Sequence, residues 1–162
     1  MMQFDRGLEI LGGTECRRLL EHEGVGRVVI CDGGAPAVFP VNYGLIGKDL
    51  VLFTGRETHI AAAAMEGQRV SFQIDHVDVA QESGWSVLVV GVATIADTGL
   101  RSRAEAIGVY PWAGGDRHVL VRIRPDTVNG RRIPLGRKAL GDRRRCPDRR
   151  RCPDRRNSSR TV

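Results

Sequence analysis

Along much of the chain, apolar and polar residues alternate with a period of two. In "RVSFQIDHVDV" (69–79), Val70, Phe72 and Ile74 stand against Arg69, Ser71, Gln73 and Asp75, the pattern of a half-buried strand. "RHVLVRIRP" (117–125) repeats it, with Val119, Val121 and Ile123 opposed to Arg122 and Arg124. "GRVVIC" (26–31) and "WSVLVVGVATIA" (85–96) are more continuously apolar and predict buried strands. "APAVFPVNYGLI" (35–46) predicts a strand with a bulge or bend at Pro40 and Gly44, and "TVNGRRI" (127–133) a short final strand. Gly47-Lys48-Asp49 turns the second strand back into "LVLFT" (50–54), a hairpin signal.

Three segments depart from this period. "TECRRLLEH" (14–22) predicts a short helix with Thr14 as N-cap and Leu19 and Leu20 facing inward, its C-terminal His22 answering the helix dipole. The alanine-rich stretch from Arg56 to about Glu66 predicts a second helix, stopped by Gly67, and residues 101–107 a third. Most connections are too short for parallel crossovers, so the pattern favours a mainly-β antiparallel barrel with two or three peripheral helices. Gly44 and Gly91, mid-strand, mark places where such a barrel bends. No βαβ alternation, dinucleotide glycine motif or P-loop is present.

Charge changes the picture at the C-terminus. Residues 131–162 carry 13 Arg/Lys and 3 Asp, a net of +10, whereas residues 1–130 carry 12 Arg/Lys against 16 Asp/Glu, a net of −4. The body is mildly acidic and the basicity belongs to a tail. Within it, "RRRCPDRRRCPDRR" (143–156) repeats Arg-Arg-Arg-Cys-Pro-Asp, which has too little apolar content to fold alone. Such a segment attracts nucleic acid nonspecifically and in a salt-dependent way, and without aromatics it reads no bases. The plainer account is an extension with no selected role. A barrel over 1–138 followed by a disordered tail over 139–162 is the expected organisation. No signal peptide or apolar run of bilayer length is visible, which gives the expectation of a cytoplasmic protein. Cys16 and Cys31 read as ordinary buried thiols, and Cys146 and Cys152 lack a zinc-site spacing.

Candidate chemistry is concentrated at "FTGRETHIAAAAM" (53–65). A helix start supplies unpaired N–H groups, and Gly55, Arg56, Thr54, Thr58 and His59 would complete a phosphate site. Thr54-Gly55-Arg56-Glu57 also matches a capping box, in which these side chains serve only the helix. The residues alone leave both readings open.

The segments "GRVVI", "PAVFPVNYGLIGKDLVLFTG", "THIAAAAMEGQRVSFQIDHVD", "GWSVLVVGVATIAD" and "VLVRIRPDTVNGRRI", in this order, resemble the pyridoxamine 5'-phosphate oxidase-like flavoproteins over about residues 7–135. That resemblance implies a Greek-key split barrel, working as a homodimer with FMN between the subunits. It implies that Phe39, Pro40, Val41 and Asn42 run along the flavin ring, with Asn42 giving its amide. It places Thr54, Gly55, Arg56, Thr58 and His59 at the phosphate, and Trp85 and Ser86 beside the cofactor. Where relatives carry a Lys or Arg, His59 is the nearest candidate here, with Arg56 compensating. Trp112, in a Pro/Gly loop, would either cover the flavin of a dimer partner or anchor its own loop.

The implied activity is an FMN-dependent reductase or oxidase of a small organic substrate, with NAD(P)H as donor. Synthesis of pyridoxal phosphate is not implied, because the Arg-x-His substrate segment of the true oxidase is missing. The alternatives are a split barrel for deazaflavin coenzyme or haem, or a flavin-binding module without turnover whose tail attracts nucleic acid. No metal cluster or catalytic triad is visible, so no catalytic residue is assigned.

Overall fold

A computed structural model describes residues 4–5, 7–32 and 34–134. The Arg-rich tail, and with it the expected boundary at 138, lies outside the described residues. The elements follow as β1 (Phe4–Asp5), β2 (Leu8–Leu11), α1 (Gly13–His22), β3 (Val25–Asp32), β4 (Ala35–Asn42), β5 (Gly44–Ile46), β6 (Asp49–Thr54), α2 (His59–Met65), β7 (Arg69–Asp78), β8 (Ser83–Ile95), α3 (Thr98–Ala106) and β9 (Val119–Ile133). Every ladder among them is antiparallel. The strands run β1-β2-β9-β8-β7-β3-β4, and β6 joins β9 to β5 off this path. The sheet curls into the expected half-barrel with three helices outside it.

Alternation along β7 and β8 produces the core directly. Val70, Phe72 and Ile74 point inward with Val87 and Val89 from β8 and Val28 and Ile30 from β3. α2 closes one side of this core with Ile60, Ala63 and Ala64, and their small side chains let it lie close to the strands. A second, smaller core lies on the other face of β6 and β9. There Val51, Phe53 and Leu120 pack against Leu100 and Ala104 of α3, so both strands are buried on two sides. Gly91 permits the bend expected of it: a Cβ there would lie 2.2 Å from the Arg124 carbonyl oxygen, beside the register shift at Val90/Gly91.

Several expectations are corrected. The predicted strand 35–46 is two strands, because Tyr43 turns into the core, donates its hydroxyl to the Leu20 carbonyl at 2.8 Å and meets Phe72 edge-on. The last two predicted strands are one, with Pro125 absorbed opposite Gly91 at the bulge, where no ladder N–H is required. β1 and β2 had no sequence signal; β2 owes its existence to pairing with the far end of β9. Thr14 is not an N-cap, since α1 begins at Gly13 after Gly12 with no side-chain cap bond. Cys16 is buried, but Cys31 is exposed: it alternates with inward Ile30, and β7 pairs only with residues 27–29 of β3.

Candidate functional site

The second helix starts three residues later than the alanine pattern predicts. Its N-cap is Thr58, whose Oγ1 accepts the Ala61 N–H at 3.1 Å, so the capping box at Thr54 does not form. The Thr58 hydroxyl donates to the Gly55 carbonyl at 3.0 Å. In the 2.8 Å contact between the two threonine hydroxyls, Thr54 is therefore the donor. Both protons are committed, and Thr54 is buried. This pair braces the segment from beneath, leaving Arg56 and backbone N–H groups as its outward donors.

β6 pairs with β9 through Thr54 and Val119, and this register brings the loop after β6 against the loop before β9. Between them lies a cleft of about 460 Å³. Gly55, Arg56, Glu57 and Thr58 form one wall, and Gly114, Gly115, Asp116 and Arg117 the other, so two carboxylates line the cleft beside two arginines. A Cβ at Gly55 would stand 3.1 Å from the Asp116 carbonyl oxygen, so glycine allows the close approach. Sequence reasoning passed over Arg117, which has no motif around it.

A neighbouring cleft of about 210 Å³ runs along β4 and contains Pro40, Val41, Asn42, Trp112 and again Arg117. Among the described residues β4 pairs only with β3, so its other edge is open. Tyr43 N–H donates to the Gly24 carbonyl at 3.1 Å across that pair, which directs odd-numbered backbone groups toward β3. Even-numbered groups point to the open edge. Pro36 and Pro40 are tolerated there because a proline lacks the donor, and Val38 and Asn42 present free-edge N–H groups. Phe39 turns inward instead and stacks on the His59 ring, with centroids 5.7 Å apart and planes at 18°.

Asn42 has a use the sequence did not reveal. Its Nδ2 donates to the Tyr110 carbonyl at 2.6 Å and its Oδ1 accepts the Trp112 N–H at 3.3 Å. The amide clasps the aromatic loop over β4, and Trp112 is held at the cleft by this chain's own strand. Phe53, which also lines this cleft, is covered by Arg101, whose guanidinium lies 5.2 Å from the ring centre and donates to the His118 carbonyl.

Trp85 and Ser86 lie elsewhere. They line a mainly apolar cleft of about 320 Å³ with Val77, Gly84 and Ile133 at the far end of β7–β8. Trp85 packs on the first core and stacks with His76, 6.3 Å between centroids. From β4 across β3 and β7 to β8 is three strand spacings, about 14 Å. One chain does not bring these two groups into one cleft. No group of three or more potential metal ligands occurs among the described residues, and none of their helices is long and apolar enough to cross a membrane.

The architecture has known counterparts. A FAD binding protein from Mycobacterium smegmatis superposes with TM-score 0.69 at 33% identity, covering 78% of this chain and 99% of that one. An uncharacterized protein of Mycobacterium tuberculosis is 32% identical over 136 residues, 81% of this chain and 89% of its own length. A FAD and heme binding protein from Mycobacterium smegmatis, at 15% identity and TM-score 0.59, covers 74% of this chain and 70% of that one, and shares the fold. The profile of the pyridoxamine 5'-phosphate oxidase family matches residues 13–132, and the chain belongs to that family.

Proposed function

We infer that the chain is a flavin-dependent oxidoreductase of a small organic substrate, taking electrons from NAD(P)H. The observation that carries this reading is the open edge of β4, which at Pro40–Asn42 borders a cleft that shares Arg117 with the cleft lined by Arg56. A planar heterocycle with alternating donors and acceptors fits such an edge, and a phosphate fits the arginines. The FMN implied by the sequence resemblance and the FAD bound by the Mycobacterium smegmatis protein share the ring, the ribityl chain and the first phosphate. The residues present fit this shared part.

In this reading Pro40 and Val41 support the ring, Trp112 shields it from water, and Asn42 positions Trp112. Arg56 and Gly55 meet the phosphate, while Thr58 fixes the turn that presents them. When bound, the flavin supplies the acceptance and release of a hydride or electrons. Trp85 and Ser86, about 14 Å away on the same sheet, would reach a flavin only from a second copy of the chain. A homodimer with flavin at its interface is therefore part of the proposal.

Titration of the purified full chain with FMN, FAD and haemin, followed by absorbance, tests it. A bound flavin spectrum, weakened in Arg56→Ala and reduced by NADPH or NADH, is expected. Haem binding with no flavin binding would replace this reading with a haem carrier.

A further inference from the structure

Resting on the flavin reading above, we propose that residues 110–117 form a lid over the β4 cleft and that the Asn42 amide is its latch. A ligand enters the cleft, and leaves it, when the two hydrogen bonds of this amide open.

The loop is fixed at its ends and loosely held between them. At one end Val109 is buried in the second core, and its N–H donates to the Ala104 carbonyl at 3.0 Å. At the other, Val119 enters the ladder opposite Thr54. Among the described residues, Asn42 alone supplies the hydrogen bonds that tie residues 110–117 to the strands and helices, through the Tyr110 carbonyl and the Trp112 N–H. Arg117 bonds within the loop, to the Gly114 carbonyl at 3.3 Å, and Asp116 pairs with neighbouring His118 in full view of solvent. Packing adds little. Tyr110 and Trp112 are 63% and 64% exposed, and the Trp112 ring lies beside Gly24, which has no side chain to hold it.

Opening this latch changes the cleft itself. Pro111, Trp112 and Ala113 line the space of about 210 Å³ together with Pro40, Val41 and Phe53, so the loop is part of its wall. Asn42 belongs to β4, and the strand that would carry the ring therefore also carries the latch. Gly114 and Gly115 follow the aromatic residues. Gly115 has φ +92°, and a Cβ at either position would meet nothing within 4 Å, so the far end of the loop turns without collision, as a hinge requires. Both latch bonds join uncharged groups at the surface, where water replaces them readily, and a closed and an open loop therefore interconvert.

Two readouts on the full chain test it. The first is amide hydrogen exchange without ligand, followed by mass spectrometry. Peptides covering 110–117 should exchange about tenfold faster in Asn42→Ala than in the wild type, the factor that loss of two such bonds carries, while β7 and β8 exchange unchanged. Asn42→Asp keeps an acceptor for the Trp112 N–H but loses the donor to Tyr110, so it should fall between; it decides the question if Asn42→Ala does not fold. The second is stopped-flow quenching of FMN fluorescence. A latch slows entry and exit alike, so association and dissociation rates should both rise in the variants while their ratio moves much less. Unchanged exchange, unchanged rates, or a rise in the dissociation rate alone overturns the latch and leaves the flavin reading standing; the last would mean that the amide touches the ligand itself. If the wild-type chain binds no flavin, that reading falls, and the exchange result alone decides whether Asn42 latches the loop.

Discussion

At the residue scale, two side chains join elements that neither could hold alone. The Glu15 carboxyl accepts from Arg18 within α1 and from Arg132 of β9 at 2.6 Å. The Arg18 hydrogen bond first, and then that of Arg132, hold it well below its ordinary 4.5, at about 2. A lowered carboxylate pKa contributes stability that is complete above the unfolded value and disappears as pH falls through the folded one. Thermal melts between pH 5 and 2 should therefore drop more steeply for the wild-type chain than for Glu15→Gln; parallel curves would deny the link. Thr58 is the second case. Thr58→Ala removes the cap and should cost about 1 kcal/mol of stability in denaturant melts, whereas Thr58→Ser, which keeps the hydroxyl, should cost much less. Burial raises the Tyr43 hydroxyl above its usual range, so it remains a donor to Leu20 at all physiological pH values.

The elements divide by how they hold their neighbours. α2 is only seven residues long and owes its place to apolar packing of Ile60, Ala61, Ala63 and Ala64 rather than to its own propensity. β8 and β9 form the longest ladder, and its single irregularity sits at Val90/Gly91. Gly91→Ala would drive a Cβ into the Arg124 carbonyl at 2.2 Å, where both partners are backbone and neither can move without breaking the ladder. A loss of about 3 kcal/mol or more is expected in denaturant unfolding. A loss near zero would mean that the bulge is not held by this close approach. The alternation along β7 was legible residue by residue, because period two needs only neighbours to be seen. Near Tyr43 the sequence signalled a bend at Gly44 but not a full break, which depends on a carbonyl 23 residues earlier in α1.

For the whole molecule, the outstanding matter is assembly. β7–β8 ends in apolar Val77 and Val79, which are 66% and 83% exposed, beside Ile133 and the Trp85 cleft. An apolar end next to a cleft that one chain leaves apart from β4 is consistent with the proposed homodimer. Sedimentation of the full chain should give a dimer at micromolar concentration. In that dimer Trp85→Ala should weaken flavin binding although Trp85 lies three strands from β4 in the sheet of its own chain. Monomers that bind flavin with full affinity would remove Trp85 and Ser86 from the site.

By itself the sequence determined what local order can encode: the inward faces of β3, β7 and β8, the hairpin at Gly47, the peripheral helices, the Arg-rich composition of the tail, and the resemblance that family membership bears out. Each of these rests on residues a few positions apart. Tertiary structure decided the cap at Thr58, the clasp of Asn42 on the Trp112 loop, and the meeting of residues 55–58 with 114–117. That meeting spans some sixty residues and follows from one register, Thr54 opposite Val119, which launches two distant loops from the same end of a paired ladder. Periodicity predicts that a strand exists and which way it faces. Which strand it pairs with, and so which loops share a cleft, is settled by burying two cores at once.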